Sequence, residues 1–275
     1  MKFLVLGSTG ILSNVLRKVL KKNVIFFSRS SDSKELKTNI FSSKFNPNND
    51  IFFRKLKEKD IIILLSNLGN LKEYENKKKR DKFIFSINNN LFKNLKNNKI
   101  IFISSDYIFF GIKKNYNDYS IPKPKNHYGK VKYKIEMLIK KNFKNYIILR
   151  FPKIYSLNKS SKSFPIGYFN NRIQNVFIDQ MVSFLDCRNL LEFLKLLLKK
   201  IIYINGCYNI PGNFFGSRFN FLNKIILANN IHNNLNPIKM PKKYKKMLPI
   251  YLKTSTYLFK KIKFKYTKFN FKLYS

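Results

Sequence analysis

Gly7 and Gly10 stand where a short apolar run, Lys2–Leu6, gives way to an amphipathic stretch, Ile11–Leu20, and this junction restricts the fold more than any other segment. A buried strand that turns sharply into a helix needs glycine at the bend, where a Cβ would be in the way. In Gly7-Ser8-Thr9-Gly10-Ile11-Leu12-Ser13, Gly7 serves the tight turn and Gly10 lets the backbone approach a pyrophosphate. The N–H groups and positive dipole end of the following helix would meet its charge. Gly7, Ser8, Thr9, Gly10, Ile11 and Leu12 are therefore the expected cradle of a dinucleotide.

The alternation set by this junction continues downstream. Val24–Phe27, Ile61–Leu65, Ile100–Ser104 and Tyr146–Arg150 read as strands, with Phe83–Leu95 and Tyr128–Lys140 as helices between them. That spacing of βαβ units predicts an α/β fold with a parallel, doubly wound sheet over residues 1–152. After Pro152 the periodicity loosens through Ser156–Asn175, then a helical stretch follows at Leu190–Leu198. Residues 153–275 read as a smaller second lobe with a soft boundary, able to return segments to the first. The basic, aromatic tail, Lys239–Ser275, is expected to pack late and loosely.

Charge bears on partners. Lys and Arg number 55 against 14 Asp and Glu, a formal charge of +41, and the last carboxylate is Glu192. Such a balance would ordinarily suggest a polyanion. Only eight of the cations are Arg, however, while Lys, Asn, Ile and Phe, all with A/T-rich codons, dominate the 275 residues. Lysine also lacks the planar fork that favours base reading. The expectation is a lysine-rich surface suited to an anionic small substrate, with no dedicated nucleic-acid partner. Cys187, Cys207, His127 and His232 form no metal-ligand spacing, so no metal is expected. Apolar runs such as Ile61–Leu65 fall far short of the ~20 residues of a membrane helix, which predicts a cytoplasmic protein without membrane insertion. A homodimer is left open.

The second strand ends Phe26-Phe27-Ser28-Arg29, with no acid to hold a ribose 2′-hydroxyl. Ser28 and Arg29 could instead contact a 2′-phosphate, which favours NADP(H) over NAD(H). Tyr128 and Lys132, four apart on a predicted helix, share a face, where the ammonium can lower the phenol pKa toward working pH. A phenol so tuned can give a proton to a carbonyl oxygen as hydride reaches its carbon. Ser105, at the carboxyl end of a central strand, can hold that oxygen.

Taken in order, these elements resemble the extended short-chain dehydrogenase/reductase family, part of the NAD-dependent epimerase/dehydratase superfamily. Four segments carry a closer likeness to dTDP-4-dehydrorhamnose reductases and related sugar-nucleotide reductases: SSDYIFFG (104–111), PKPKNHYGKVKYKIE (122–136), DQMVS (179–183) and GCYNIPG (206–212). The resemblance implies a Rossmann-type domain with a C-terminal substrate-binding lobe. It also implies catalytic roles for Ser105, Tyr128 and Lys132, with Lys132 and Tyr128 near the nicotinamide ribose and Asn88 at the family's helix asparagine. The sequence departs from the pattern at Ser13, Val131, Ile135 and Phe184-Leu185. The implied activity is reduction of a 4-keto nucleotide-activated deoxysugar for surface polysaccharide. Alternatives are an epimerase of the same superfamily, or a non-catalytic NADP-binding regulatory subunit. Dehydration is disfavoured, because Tyr107 stands where the dehydratases of the superfamily have Glu.

Overall fold

The structure is a computed structural model that describes all residues except 8–9, 29–34, 70, 96, 114, 160–163, 167–168, 170–172, 233, 268–270 and 275. The strands are β1 (Phe3–Leu6), β2 (Val24–Ser28), β3 (Leu36–Lys37), β4 (Ile61–Leu64), β5 (Lys99–Ser105), β6 (Tyr146–Phe151), β7 (Lys153–Tyr155), β8 (Gln174–Phe177), β9 (Met181–Asp186), β10 (Gly206–Asn209), β11 (Phe214–Ser217), β12 (Leu235–Ile238) and β13 (Tyr251–Leu252). The α-helices are α1 (Ile11–Val19), α2 (Ile51–Lys55), α3 (Lys77–Phe85), α4 (His127–Asn142), α5 (Cys187–Lys199), α6 (Arg218–Asn229), α7 (Lys242–Lys245) and α8 (Leu258–Ile262). Packing divides the chain into two units. The first is residues 1–105, 127–150 and 201–208; the second is 106–126, 151–200 and 209–275.

In the first unit the sheet runs β10-β6-β5-β4-β1-β2-β3. Strand β1 pairs in parallel with both β2 and β4, and β4 in turn with β5, so the strand order reverses beside β1. Such a reversal opens a crevice at the carboxyl ends of the strands, where the loop after β1 lies. All four residues of β4 are buried, as are six of the seven in β5. A strand covered on both faces cannot alternate polar with apolar, which is why Ile61–Leu64 reads as an unbroken run. Ile135 and Ile139 of α4 and Ile87 and Leu91 close the core over Leu4, Leu6, Ile62 and Ile100. The α/β, Rossmann-type fold expected from the sequence is the fold observed.

The expected helix Phe83–Leu95 differs in detail. The α-helix ends at Phe85, a π-helical turn spans Ser86–Leu91, and a 3₁₀ turn follows over Phe92–Asn94. Local side chains explain the change of pitch. Ser86 Oγ donates to the Lys82 carbonyl at 2.9 Å and so competes with the regular ladder, while Asn90 Nδ2 donates to the Ile40 carbonyl at 2.7 Å and ties the turn to a distant segment.

In the second unit β9 pairs antiparallel with β11 and parallel with β7 and β13, while β8 and β12 form a separate parallel pair. Its core is aromatic. Phe184 stacks on Phe221 at 4.3 Å between ring centroids, and Tyr155 meets Phe221 edge-on at 4.7 Å. The tail does not pack loosely as expected from composition: Met240, Leu252, Leu258, Ile262 and Phe264 are all buried. From Ile262 to Lys265 buried apolar residues alternate with exposed lysines, so a lysine-rich segment still supplies one complete apolar face. Among the described residues no helix is long and apolar enough to cross a membrane.

Candidate active site

Three side chains of α4 face the end of β5. Tyr128, Lys132 and Glu136 are spaced four apart, which stacks them along one side of the helix. Lys132 Nζ donates to the carbonyl of Ile103 at 2.9 Å and lies 4.9 Å from the centroid of the Phe102 ring. It sits 5.9 Å from the centroid of the Tyr128 ring, so the two residues of the expected pair are brought together. Ser105 ends β5 two residues beyond Ile103 and is buried. The ring of half-buried Tyr128 is met edge-on by buried Tyr74 at 5.0 Å, which fixes its plane. Tyr74 is anchored in turn, its hydroxyl accepting from the Leu68 N–H at 3.1 Å.

Beneath this row lies a buried ion pair. Arg150 Nη2 of β6 donates to Glu136 Oε2 at 2.8 Å, and Ser104 Oγ donates to Glu136 Oε1 at 2.5 Å. Glu136 is wholly buried, and Arg150 and Lys132 are each 2% exposed. Burial of the Lys132 amine lowers its pKa to about 7, against the pull of the Glu136 carboxylate in the opposite direction. At neutral pH its charge is thus set by its neighbours. Glu136 and Tyr74 were missed as site residues from sequence. The signal for Glu136 was present in an acid standing one turn past Lys132 on a face that is otherwise apolar; nothing local marks Tyr74.

The glycine turn has the geometry a phosphate requires. Gly7 adopts φ +99°, and a Cβ there would come within 2.8 Å of the Ser66 backbone nitrogen. Gly10 adopts φ +110°, with nothing within 4 Å of where a Cβ would sit, so its face is open to an approaching group. Helix α1 starts directly after it with no side-chain cap and no acid in its first turn, leaving N–H groups for an anion. Ser13, in place of a third glycine, is buried and donates from Oγ to the Gly10 carbonyl at 2.9 Å. Ile11 and Leu12 are half-buried at the helix start, and Ser28 is buried at the end of β2. Ser8, Thr9 and Arg29 lie outside the described residues. The turn therefore fits a dinucleotide pyrophosphate. Asn88 is half-buried in the π-helical turn.

The second unit has a pair of cations of its own. Lys153 Nζ and Arg218 Cζ lie 5.3 and 5.8 Å from the centroid of the Phe164 ring. The Lys153 pKa is lowered, first by the packing around its amine and then by the like charge of Arg218. An anion placed between them would relieve that repulsion.

Comparison with known proteins agrees with this architecture. The model of the family described as RmlD substrate binding domain matches residues 1–249. A dTDP-4-dehydrorhamnose reductase from Clostridium acetobutylicum superposes with a TM-score of 0.70 at 20% identity, covering 94% of this chain and 92% of that one. The dTDP-4-dehydrorhamnose reductase of Bacillus anthracis, solved in complex with NADP, gives a TM-score of 0.70 at 20% identity over 94% of this chain and 91% of its own. Methionine adenosyltransferase 2 subunit beta of Xenopus tropicalis is 35% identical over 83 residues, 28% of this chain, and the match spans only a quarter of that protein's length. With the parallel sheet, the glycine turn and the Tyr128–Lys132 row already in place, a family match over nine-tenths of the residues leads to one conclusion: the chain belongs to the RmlD substrate binding domain family.

Proposed function

We propose that this chain, an oxidoreductase by its family, reduces the 4-keto group of a nucleotide-activated deoxysugar in the cytoplasm, on a route to surface polysaccharide. The observation that supports the reading is that Lys132, beside Tyr128 on α4, bonds the Ile103 carbonyl two residues before Ser105, in the same unit as the open glycine turn. Gly7, Gly10 and the N-terminus of α1, with Ser8 and Thr9 between the glycines, would hold a nicotinamide dinucleotide, which when bound supplies the hydride. Tyr128 would give its phenolic proton to the carbonyl oxygen as the carbon is reduced, and Ser105 would donate a hydrogen bond to the same oxygen. Lys132, whose pKa burial lowers and the Glu136 carboxylate holds up, would return a proton toward the tyrosinate and hold the ribose. In the second unit, Lys153 and Arg218 support an anionic substrate such as a sugar diphosphate.

The test is a screen of dTDP- and UDP-4-keto sugars, following loss of the reduced-nicotinamide absorbance. Consumption of one equivalent of cofactor per keto sugar is expected. Interconversion of sugar epimers without net cofactor oxidation would favour an epimerase instead.

For the cofactor itself, Ser28 and Arg29 offer a hydrogen bond and a positive charge with no acid, so NADPH is expected to bind more tightly than NADH. Titration calorimetry with both cofactors measures this. Arg29→Ala should weaken NADPH by ~1.5–3 kcal/mol, the range for a hydrogen bond to a charged group, while sparing NADH. Equal affinities in the unsubstituted protein would mean that Arg29 makes no contact with the 2′-phosphate.

A further inference from the structure

We propose that Glu136 is a positioning residue for this reduction, keeping Lys132 in its ammonium form and tying α4 to the end of β5 through its bonds to Ser104 and Arg150. The proposal rests on the reading of Tyr128 and Lys132 as the reacting pair, and it adds a residue that touches neither substrate nor cofactor.

The argument begins with charge in a dry place. Lys132, Glu136 and Arg150 are all buried, so their mutual interactions are screened far less than they would be at the surface. With Lys132 protonated the cluster carries two positive charges against one negative. Remove the carboxylate and two cations remain in the core with no anion among them, which drives the weaker base, Lys132, to release its proton. The groups on the surrounding elements do not replace it. On α4 Lys132 has Tyr128 one turn before and Glu136 one turn after; β5 presents the Ile103 carbonyl, the Ser104 hydroxyl and the Phe102 ring. From β6 comes Arg150, and from β10 comes Cys207, whose thiol pKa is raised by burial and by Glu136. Glu75 is occupied beside His127 at the start of α4, and Glu73 beside Lys79 of α3. Glu136 is thus the carboxylate on which the charge of Lys132 depends.

Geometry gives it the second role. Ser104 is the immediate neighbour of Ser105, and Glu136 bonds its hydroxyl at 2.5 Å while lying on the same helix face as Tyr128. One carboxylate therefore fixes the strand end carrying the oxyanion donor against the helix carrying the acid. Displacements of about an ångström in such a constellation cost on the order of a hundredfold in rate.

The experiment compares the unsubstituted protein with Glu136→Gln and with the double variant Glu136→Gln/Arg150→Gln, which removes the buried charges as a pair and so guards against simple loss of folding. Using NADPH and dTDP-4-dehydrorhamnose, turnover of the unsubstituted protein should fall as pH rises through about 7, where Lys132 loses its proton. In Glu136→Gln that fall should move at least one unit lower, so that activity lost at pH 7 is regained near pH 5.5; in the double variant, from which the repulsion of Arg150 is gone as well, it should move in the same direction but less. A purely structural role would lower activity equally at every pH. A second readout needs no substrate. Lys132 is held below its unfolded value of ~10.4, so between about pH 7 and 10 the unfolded chain binds more protons and stability rises with pH. The rise is lost in Lys132→Met, and without Glu136 it should begin at a lower pH than in the unsubstituted protein. An unchanged pH limb and an unchanged melting profile in Glu136→Gln, or in the double variant where the single one does not fold, would overturn the role of Glu136. If the unsubstituted protein turns over no keto sugar but the melting profile shifts, the reductase reading fails and the charge linkage stands.

Discussion

Tyr128→Phe is expected to lower turnover by about 10²–10⁴-fold, the range attributed to general acid–base catalysis, while leaving cofactor binding intact. The separation follows from where the parts sit. Tyr128 lies at the first turn of α4, half-buried against Tyr74, whereas the proposed phosphate cradle is Gly7, Gly10 and the start of α1. Deleting one hydroxyl removes the acid without disturbing either glycine or the buried row beneath it. Lys132→Met should damage both steps, since its amine, held at the Ile103 carbonyl, is proposed to serve both the phenol and the ribose. Ser105→Ala should act on turnover alone, through a lost hydrogen bond to the developing oxyanion. Single-turnover kinetics with NADPH, beside calorimetric titration of the cofactor, measures the two quantities separately. Tyr128→Phe reducing its keto sugar at the unsubstituted rate would exclude the phenol as proton donor and favour a non-catalytic, NADP-binding role.

The parts of the molecule legible in the sequence are those where one physical demand acts on consecutive residues. Ile61–Leu64 and Ile100–Ile103 had to be apolar throughout because both faces of the sheet are covered, and Gly7 had to be glycine because Ser66 leaves no room for a Cβ. Spacing exposed Tyr128 and Lys132, since residues four apart on a helix share a face. What escaped was decided by residues distant along the chain. Arg150 reads as the polar end of an apolar strand, and only the fold shows it wholly enclosed and paired with Glu136. Tyr74 orients Tyr128 from a short 3₁₀ segment with no periodicity to announce it. The second unit was harder still. Its sheet joins β7, β9, β11 and β13 from scattered stretches, and its tail packs through an apolar face hidden among lysines. Composition averages over both faces of such a segment and so misjudges it.

Arg150→Met should destabilise the protein by about 3–5 kcal/mol, the cost of breaking a buried ion pair by removing one partner. Arg150 gives Glu136 three hydrogen bonds, from Nε to both carboxylate oxygens at 3.2 and 3.3 Å and from Nη2 at 2.8 Å. With the guanidinium gone, only the Ser104 hydroxyl and the attraction of Lys132 would remain to compensate a carboxylate that water cannot reach. The methionine stem fills much of the same space, so the loss is one of charge compensation rather than of volume. Adding Glu136→Gln to Arg150→Met should then recover a large part of the stability, because the uncompensated charge is removed as well. Urea unfolding of the two single variants, the double variant and the unsubstituted protein closes a cycle whose coupling energy isolates the pair. Additive losses would mean that Arg150 stabilises β6 through packing alone. A strongly compensating double variant with little reductase activity would separate the two roles of the pair, because the fold tolerates its absence and the alignment of α4 with the end of β5 does not.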